Sequence, residues 1–375
     1  MSGFQPFELE RMMGKWENVV RYNLSESGVH PLELGALMAL AGRSVDELAG
    51  IELNYPQANG TPALRRAIAD LYPGTGEDEV LVTTGAIEAN YLIVQTLLAP
   101  GDEAVVMRPN YLQVWGVARN RGVAVKDFDL VEARGWAPDL DQLDAAVGPR
   151  TKLIAVCNPN NPTGRILTAG EMAAIVRIAA RAGAWILADE VYAGAERETD
   201  EQTPSFRGLY DRVLAVGSMS KAYGLPGLRT GWVVGPAATL DELWARHDYV
   251  AITGTMLSDR LATLALSPQV RPRILARTRG LIRAGYPVLA AWAARHANTL
   301  RVFPPQAAAI AFVAYNRRIG STALVERLRR EKDVLIVPGA HFGHDHHLRI
   351  SFGLPHDYLA EGLARIGRML DEIAE

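Results

Sequence analysis

The sequence predicts an α/β fold, with a large unit around a mostly parallel central sheet and a smaller α+β unit after it. Two patterns carry that expectation. From about residue 79, short β-rich runs alternate with helical stretches, which argues for a parallel sheet covered on both faces. After about residue 255 the alternation stops, and long helical stretches mix with a few separate strands. The length agrees, because 375 residues exceed one compact core.

In the large unit, strands are predicted at 79–84, 103–107, 124–128, 151–157, 185–188 and 213–216. Helices are predicted at 86–98, stopped by Pro100 and Gly101, from about 111, at 139–147 and at 169–182. The small unit begins with a long arginine-bearing helix, 270–296, followed by the run 300–303. Next come 308–314, a helix at 322–331, the run 334–337, a strand at 347–352 and a closing helix at 358–374. The first forty-odd residues are too short to fold alone and are expected to pack on the small unit. The expected division is 1–45, 46–255 and 256–375. Repeats, low-complexity tracts and long linkers are absent from the sequence.

Composition narrows the function classes. The chain is 49% hydrophobic and 22% charged, an ordinary globular balance. Its net charge of -3, with Lys and Arg spread along the chain, gives no electrostatic case for nucleic acid. No uncharged run approaches the roughly 18 residues a membrane helix needs, and the N-terminus does not read as a secretory signal. The single cysteine, Cys157, excludes an intrachain disulfide and fits a reducing, cytoplasmic setting. At the end of an apolar run, it reads as a small buried hydrophobe.

In open α/β sheets ligands sit beyond the carboxyl ends of the strands, so those ends are where chemistry is expected. In Val216-Gly-Ser-Met-Ser-Lys-Ala-Tyr-Gly-Leu-Pro-Gly-Leu-Arg-Thr-Gly-Trp232, Lys221 follows Ser218 and Ser220 and precedes Arg229 by eight residues. A nucleophilic lysine needs partial burial and a nearby positive charge. Two hydroxyls and an arginine make a phosphate holder. Together they suit pyridoxal 5′-phosphate (PLP); the alternative is a surface lysine after a strand. The first strand ends in a glycine turn into a helix, where the N–H groups of Gly85, Ala86 and Ile87 would be unsatisfied donors for an anion. Tyr111, after the second strand, could stack on a flat ring or serve as ordinary packing. Asn158-Pro-Asn-Asn-Pro-Thr-Gly164 fixes a rigid turn that aims Asn161. Asp189 ends an apolar strand, where a carboxylate needs a cationic partner such as a pyridinium nitrogen, or else caps a helix or joins an internal salt bridge. Tyr192 lies three residues on. Arg349, in the alternating strand 347–352, either faces solvent or binds a substrate carboxylate.

The order of these motifs resembles the class I/II aminotransferase family of fold-type I PLP-dependent enzymes, over about residues 50 to 355. By that resemblance Lys221 is the Schiff-base lysine and proton shuttle, and Asp189 the partner of the ring nitrogen. Asn161 and Tyr192 are the partners of the ring hydroxyl, and Tyr111 is the stacking aromatic. Gly85, Ala86, Ser218 and Arg229 form the phosphate cup, to which the reading of the residues adds Ile87 and Ser220 as cofactor-binding. Arg349, with Gly28 and Asn161 nearby, meets the substrate. The resemblance also implies a homodimer with shared sites, in which Tyr55 reaches the neighbour's phosphate. The implied reaction moves the amino group of an L-amino acid to a 2-oxo acid.

The segment Leu24-Ser-Glu-Ser-Gly-Val-His30 departs from the common members. It is similar to a smaller branch that includes capreomycidine synthase and, more distantly, PLP enzymes that oxidise arginine with oxygen. There His30 would handle protons over the cofactor, diverting the chemistry to oxidation or cyclisation of L-arginine or a hydroxyarginine; the alternative is a capping or surface histidine. Ser218-x-x-Lys221 also fits the nucleophile signature of penicillin-recognising enzymes, but its Ser-Asp-Asn and Lys-Thr-Gly companions are missing. No Gly-x-Gly-x-x-Gly follows the first strand. The histidines at 341, 344, 346 and 347 suggest a metal, but a short solvated or substrate-facing loop is the expected reading, with no metal site.

Overall fold

A computed structural model describes residues 3–373. Its strands are β1 (Tyr22–Asn23), β2 (Val80–Thr83), β3 (Glu103–Arg108), β4 (Ala124–Val131), β5 (Ala137–Pro138), β6 (Thr151–Cys157) and β7 (Trp185–Asp189). They continue with β8 (Val213–Ser218), β9 (Gly231–Val234), β10 (Leu300–Val302), β11 (Ile310–Tyr315), β12 (Val334–Leu335), β13 (Val337–Pro338) and β14 (His347–Ser351).

The large sheet has eight strands in the order β2-β9-β8-β7-β6-β3-β4-β5. Strands β8, β7, β6, β3 and β4 are parallel neighbours, whereas β9 is antiparallel to both β2 and β8, and β5 to β4. The continuous apolar runs follow from burial on both faces. Val105, Met107, Ile154, Val156 and Ile186 face one core, and Ala104, Val106, Leu153, Ala155 and Leu187 face the other. The helix Ala169–Ala182 starts at a capping box of Thr168 and Glu171 and stops at Gly183 with φ +63°.

Two local expectations are corrected. Gly231–Val234, not anticipated as a strand, is β9, inserted between β2 and β8. The run at 334–337 is two short strands: β12 pairs with β1 and β13 with β14. Pro338, lacking an N–H, limits the second ladder. The closing helix is His356–Asp371, and Ala374 lies outside the described residues. The smaller C-terminal sheet runs β10-β11-β14-β13 and is antiparallel throughout. Among the described residues no helix is long and apolar enough to cross a membrane.

Candidate active site

The carboxyl ends of β2, β6, β7 and β8 open on one cavity of roughly 370 Å³. Lining it are Ala86, Ile87, Tyr111, Asn161, Asp189, Tyr192, Ser218, Ser220, Lys221, Arg229 and Arg349, residues drawn from seven stretches of sequence. The strand pattern explains the convergence. Asp189 ends β7, in register with Cys157 of β6 and Val216 of β8. Gly231, the first residue of β9, pairs with both Thr83 and Ser218. A Cβ at Gly231 would lie 2.4 Å from the Ala86 nitrogen, so only glycine lets β9 pass behind the helix start. A Cβ at Gly85, whose φ is +78°, would lie 2.5 Å from the Arg229 guanidinium.

Around that turn are the first donors of the helix Ala86–Leu97, the Ser218 and Ser220 hydroxyls 3.0 Å apart, and Arg229. This set suits a phosphate. Lys221 lines the same cavity. Desolvation lowers its ammonium from the ordinary lysine range; Arg349 and Arg229 add to this, while Glu26 and Glu10 oppose it. Burial pushes the Asp189 carboxyl up to about 6, against hydrogen bonds from the Val191 N–H and Asn90 Nδ2, both 3.3 Å. A buried acid so raised lacks a strong cation, and a protonated ring nitrogen is the kind of partner that would return it to the ionised form.

Arg349 points inward and is only 1% exposed. Its Nη1 donates to Asn161 Oδ1 at 3.1 Å, its Nη2 donates to the Ser25 carbonyl, and its buried Nε has no partner. Asn161 is aimed by its neighbours: the Asn158 side chain accepts from the Leu167 N–H, and the Asn160 side chain from Thr163. Tyr192 is buried, and burial raises its phenol well above the ordinary range. Tyr111 packs on Phe7 at 4.8 Å and donates to Glu10 Oε1 at 2.7 Å.

Three expected residues stand apart. Gly28 does not line the cavity but flanks it, for a Cβ there would lie 3.8 Å from the Lys221 Cδ. His30 is exposed and outside the cavity of its own chain, whereas the neighbouring Val29 is buried. The His30 N–H donates to the Gly353 carbonyl, and its own carbonyl accepts from Arg277. Tyr55 is 82% exposed and also outside that cavity. Among the described residues no cluster of three or more His, Cys, Asp or Glu is placed to hold a metal. His344 and His347 pack instead around Trp136 and Phe312.

The cavity also contains residues that the sequence reading did not single out. Asn90 lies one helical turn beyond Ala86, a spacing that could have signalled a shared face. Gln113 links Asn90 to the Ile87 carbonyl. Glu10, Met13 and Glu17 come from the helix Glu8–Trp16 and its end, with Glu26 and Ser27 beyond β1. Glu26 and Ser27 fall in the unusual segment 24–30, whereas no sequence pattern marks Glu10, Met13 and Glu17.

The profile of the family "Aminotransferase class I and II" matches residues 39–366. The chain belongs to this family. It is 34% identical to capreomycidine synthase of Streptomyces vinaceus, over 93% of this chain and 89% of that one. A PLP-dependent aminotransferase from Streptococcus suis superposes with a TM-score of 0.92, at 31% identity over the whole of both chains. The PLP-dependent cyclase OrfR superposes at 0.88, with 29% identity over 99% of this chain and 98% of that one. The protein is thus an enzyme of the aminotransferase type, and its cofactor is PLP. The residues present fit that cofactor, as the glycine-walled turn and the raised buried acid at Asp189 indicate.

Proposed function

We propose that this enzyme transfers the amino group of an L-amino acid to a 2-oxo acid, and that the preferred donor carries a cationic side chain. The observation that supports the chemistry best is Lys221, its ammonium lowered in pKa, in the same cavity as Arg349 with its unpartnered Nε. PLP, when bound, supplies an electron sink that lets an amino acid give up its Cα proton. Lys221 holds and moves that proton. Arg349, already oriented by Asn161, binds the substrate carboxylate. Asp189 would pair with the ring nitrogen, Asn161 and Tyr192 would serve the ring hydroxyl, and Tyr111 would pack on the ring, all four lining the one cavity. Ala86, Ile87, Ser218, Ser220 and Arg229 would take the phosphate; the expected Gly85 donor is corrected, because its N–H already donates to the Thr83 carbonyl at 2.8 Å, and the glycine instead leaves room beside Arg229. Arg349→Ala is expected to lower kcat/KM about 100-fold, since hydrogen bonds to charged groups contribute roughly 1.5–3 kcal/mol each. Steady-state kinetics would show it, and an unchanged value would remove Arg349 from this role.

The donor preference rests on Glu10, Glu17 and Glu26, which share the cavity with Lys221. Desolvation and the neighbouring Glu26, with which it shares a hydrogen bond, raise the Glu17 carboxyl. A donor with a distal carboxylate would meet like charges there, whereas a guanidinium or ammonium would relieve them. The double variant Glu17→Gln/Glu26→Gln is expected to lose at least tenfold of the kcat/KM preference for L-arginine over L-methionine. An unaltered ratio would count against this part of the reading.

The same acidic wall, with the similarity to capreomycidine synthase, supports a second reading: an oxidase or cyclase acting on L-arginine or a hydroxyarginine. Incubating the enzyme with L-arginine and oxygen, without any 2-oxo acid, separates the two. Turnover that requires a 2-oxo acid favours transamination, and sustained oxygen uptake or a cyclised product favours the second reading. We further propose a cytoplasmic homodimer and a division at 45/46 and 255/256. Exposed Leu53, Tyr55, Tyr249, Val250 and Ile252 offer an apolar surface for the second copy, and the β1–β12 pairing ties the N-terminal segment to the C-terminal unit. Mixing inactive Tyr55→Ala and Lys221→Ala proteins should then restore some activity through hybrid dimers; no recovery would speak against shared sites.

A further inference from the structure

One buried acid–imidazole pair takes no part in the chemistry above. Glu88 lies in the first turn of the helix Ala86–Leu97, and its Oε2 accepts from the Thr84 N–H at 2.6 Å. Its Oε1 is 2.8 Å from Nδ1 of His247, the last residue of the helix Ala237–His247. The side chains are 4% and 0% exposed. The other ring nitrogen, Nε2, is buried beside the Ala58 carbonyl without a fully formed hydrogen bond.

His247 therefore stands where three segments meet. Thr84 begins the turn that continues through Gly85 and Ala86 into the phosphate cup. Ala58 belongs to the stretch that carries Tyr55, and the adjacent Asn59 carbonyl accepts from the Val82 N–H at 3.1 Å. The His247 carbonyl accepts from the N–H groups of Val250 and Ala251, at 2.9 and 3.1 Å, in the loop with the exposed Tyr249.

A carboxylate at a helix start is favoured by the dipole, but here it sits two residues from donors meant for a phosphate and competes with that anion for positive potential. Burial alone would lower the His247 imidazolium, and Glu88 with the Ala58 carbonyl more than offsets this, so the ring is held above its ordinary range. A charged ring cancels the Glu88 charge while leaving the carboxylate free to hold Thr84. Removing one partner of a buried pair exposes the other's charge to its surroundings.

We propose that His247 and Glu88 are positioning residues of the phosphate cup, with Glu88 fixing the Thr84–Ala86 turn and His247 neutralising Glu88 so that the cup retains its affinity for a dianion. This rests on the reading of that turn as the phosphate site. The test is the ratio of pyridoxal to PLP dissociation constants for the cofactor-free protein, because both ligands can react with Lys221 and only one carries phosphate. His247→Gln is expected to lower that ratio at least tenfold, and adding Glu88→Gln to restore it to within threefold of wild type. Glu88→Asp keeps both charges but shortens the reach to Thr84, so it should also lower the ratio, and it serves should His247→Gln fail to fold. An unchanged ratio in either single variant, or no restoration in the double variant, overturns the pairing. A wild-type protein that binds PLP no better than pyridoxal would instead overturn the cup itself.

Discussion

Lys221→Ala is expected to lower kcat about 10⁴-fold, the upper end of what a positioned general base contributes, and to abolish the covalent attachment of PLP that borohydride fixes in the wild-type protein. The cup residues are untouched, so PLP should still bind, without a covalent link. The deletion leaves space where the side chain stood, so a small primary amine in the buffer should recover part of the rate. A merely structural lysine would give no such rescue. Retention of that covalent attachment, or of more than a few per cent of the activity, would remove Lys221 from its role.

The second large effect is expected at Asp189. An amide in its place cannot hold a positive charge opposite the ring nitrogen, and kcat should fall by roughly 10²–10³-fold, on the scale of about 1.4 kcal/mol per decade. The same residue gives a pH signature in the cofactor-free protein. Its folded-state carboxyl is pushed up to about 6 from 3.8 by burial, so the folded state binds the proton more tightly than the unfolded chain. The resulting destabilisation is fully present above about pH 6 and disappears as pH falls toward 3.8, amounting to about 3 kcal/mol at most. Denaturant titrations should therefore show wild type gaining on Asp189→Asn as pH falls through that window. Glu190, pushed up to about 8 chiefly by burial and in lesser part by the Asp189 charge, acts in the same direction in both proteins, and only the part owed to Asp189 is lost in the variant. Parallel pH profiles for the two would contradict the assigned environment.

What the sequence revealed, and what it concealed, follows from the range of the interactions. Strands such as β3, β6 and β7 are buried on both faces, so their apolar runs stand out whatever packs on them. The residues at the strand ends need special chemistry or backbone shape: Gly85 for a positive φ, Asn161 for its fixed turn, Asp189 for its place after an apolar run. Those signals are local. Strand β9 was not legible, because its four residues owe their ladder to β2 and β8, more than a hundred residues apart from one another in sequence. The acidic wall was hidden for the same reason. Glu10 and Glu17 look like ordinary charges at a helix surface until the helix Glu8–Trp16 is laid over the cavity, with Glu10 receiving the Tyr111 hydroxyl. Arg349 was read as facing either solvent or substrate, and only the pairing of β14 with β11 and β13 shows its side chain enclosed. His30 lies exposed outside the cavity of its own chain, next to buried Val29.

The most direct measurement is to load the purified protein with PLP, reduce it with borohydride and locate the phosphopyridoxyl group by peptide mass spectrometry. The account predicts that the label falls on Lys221. A label on another lysine, or none, would contradict it.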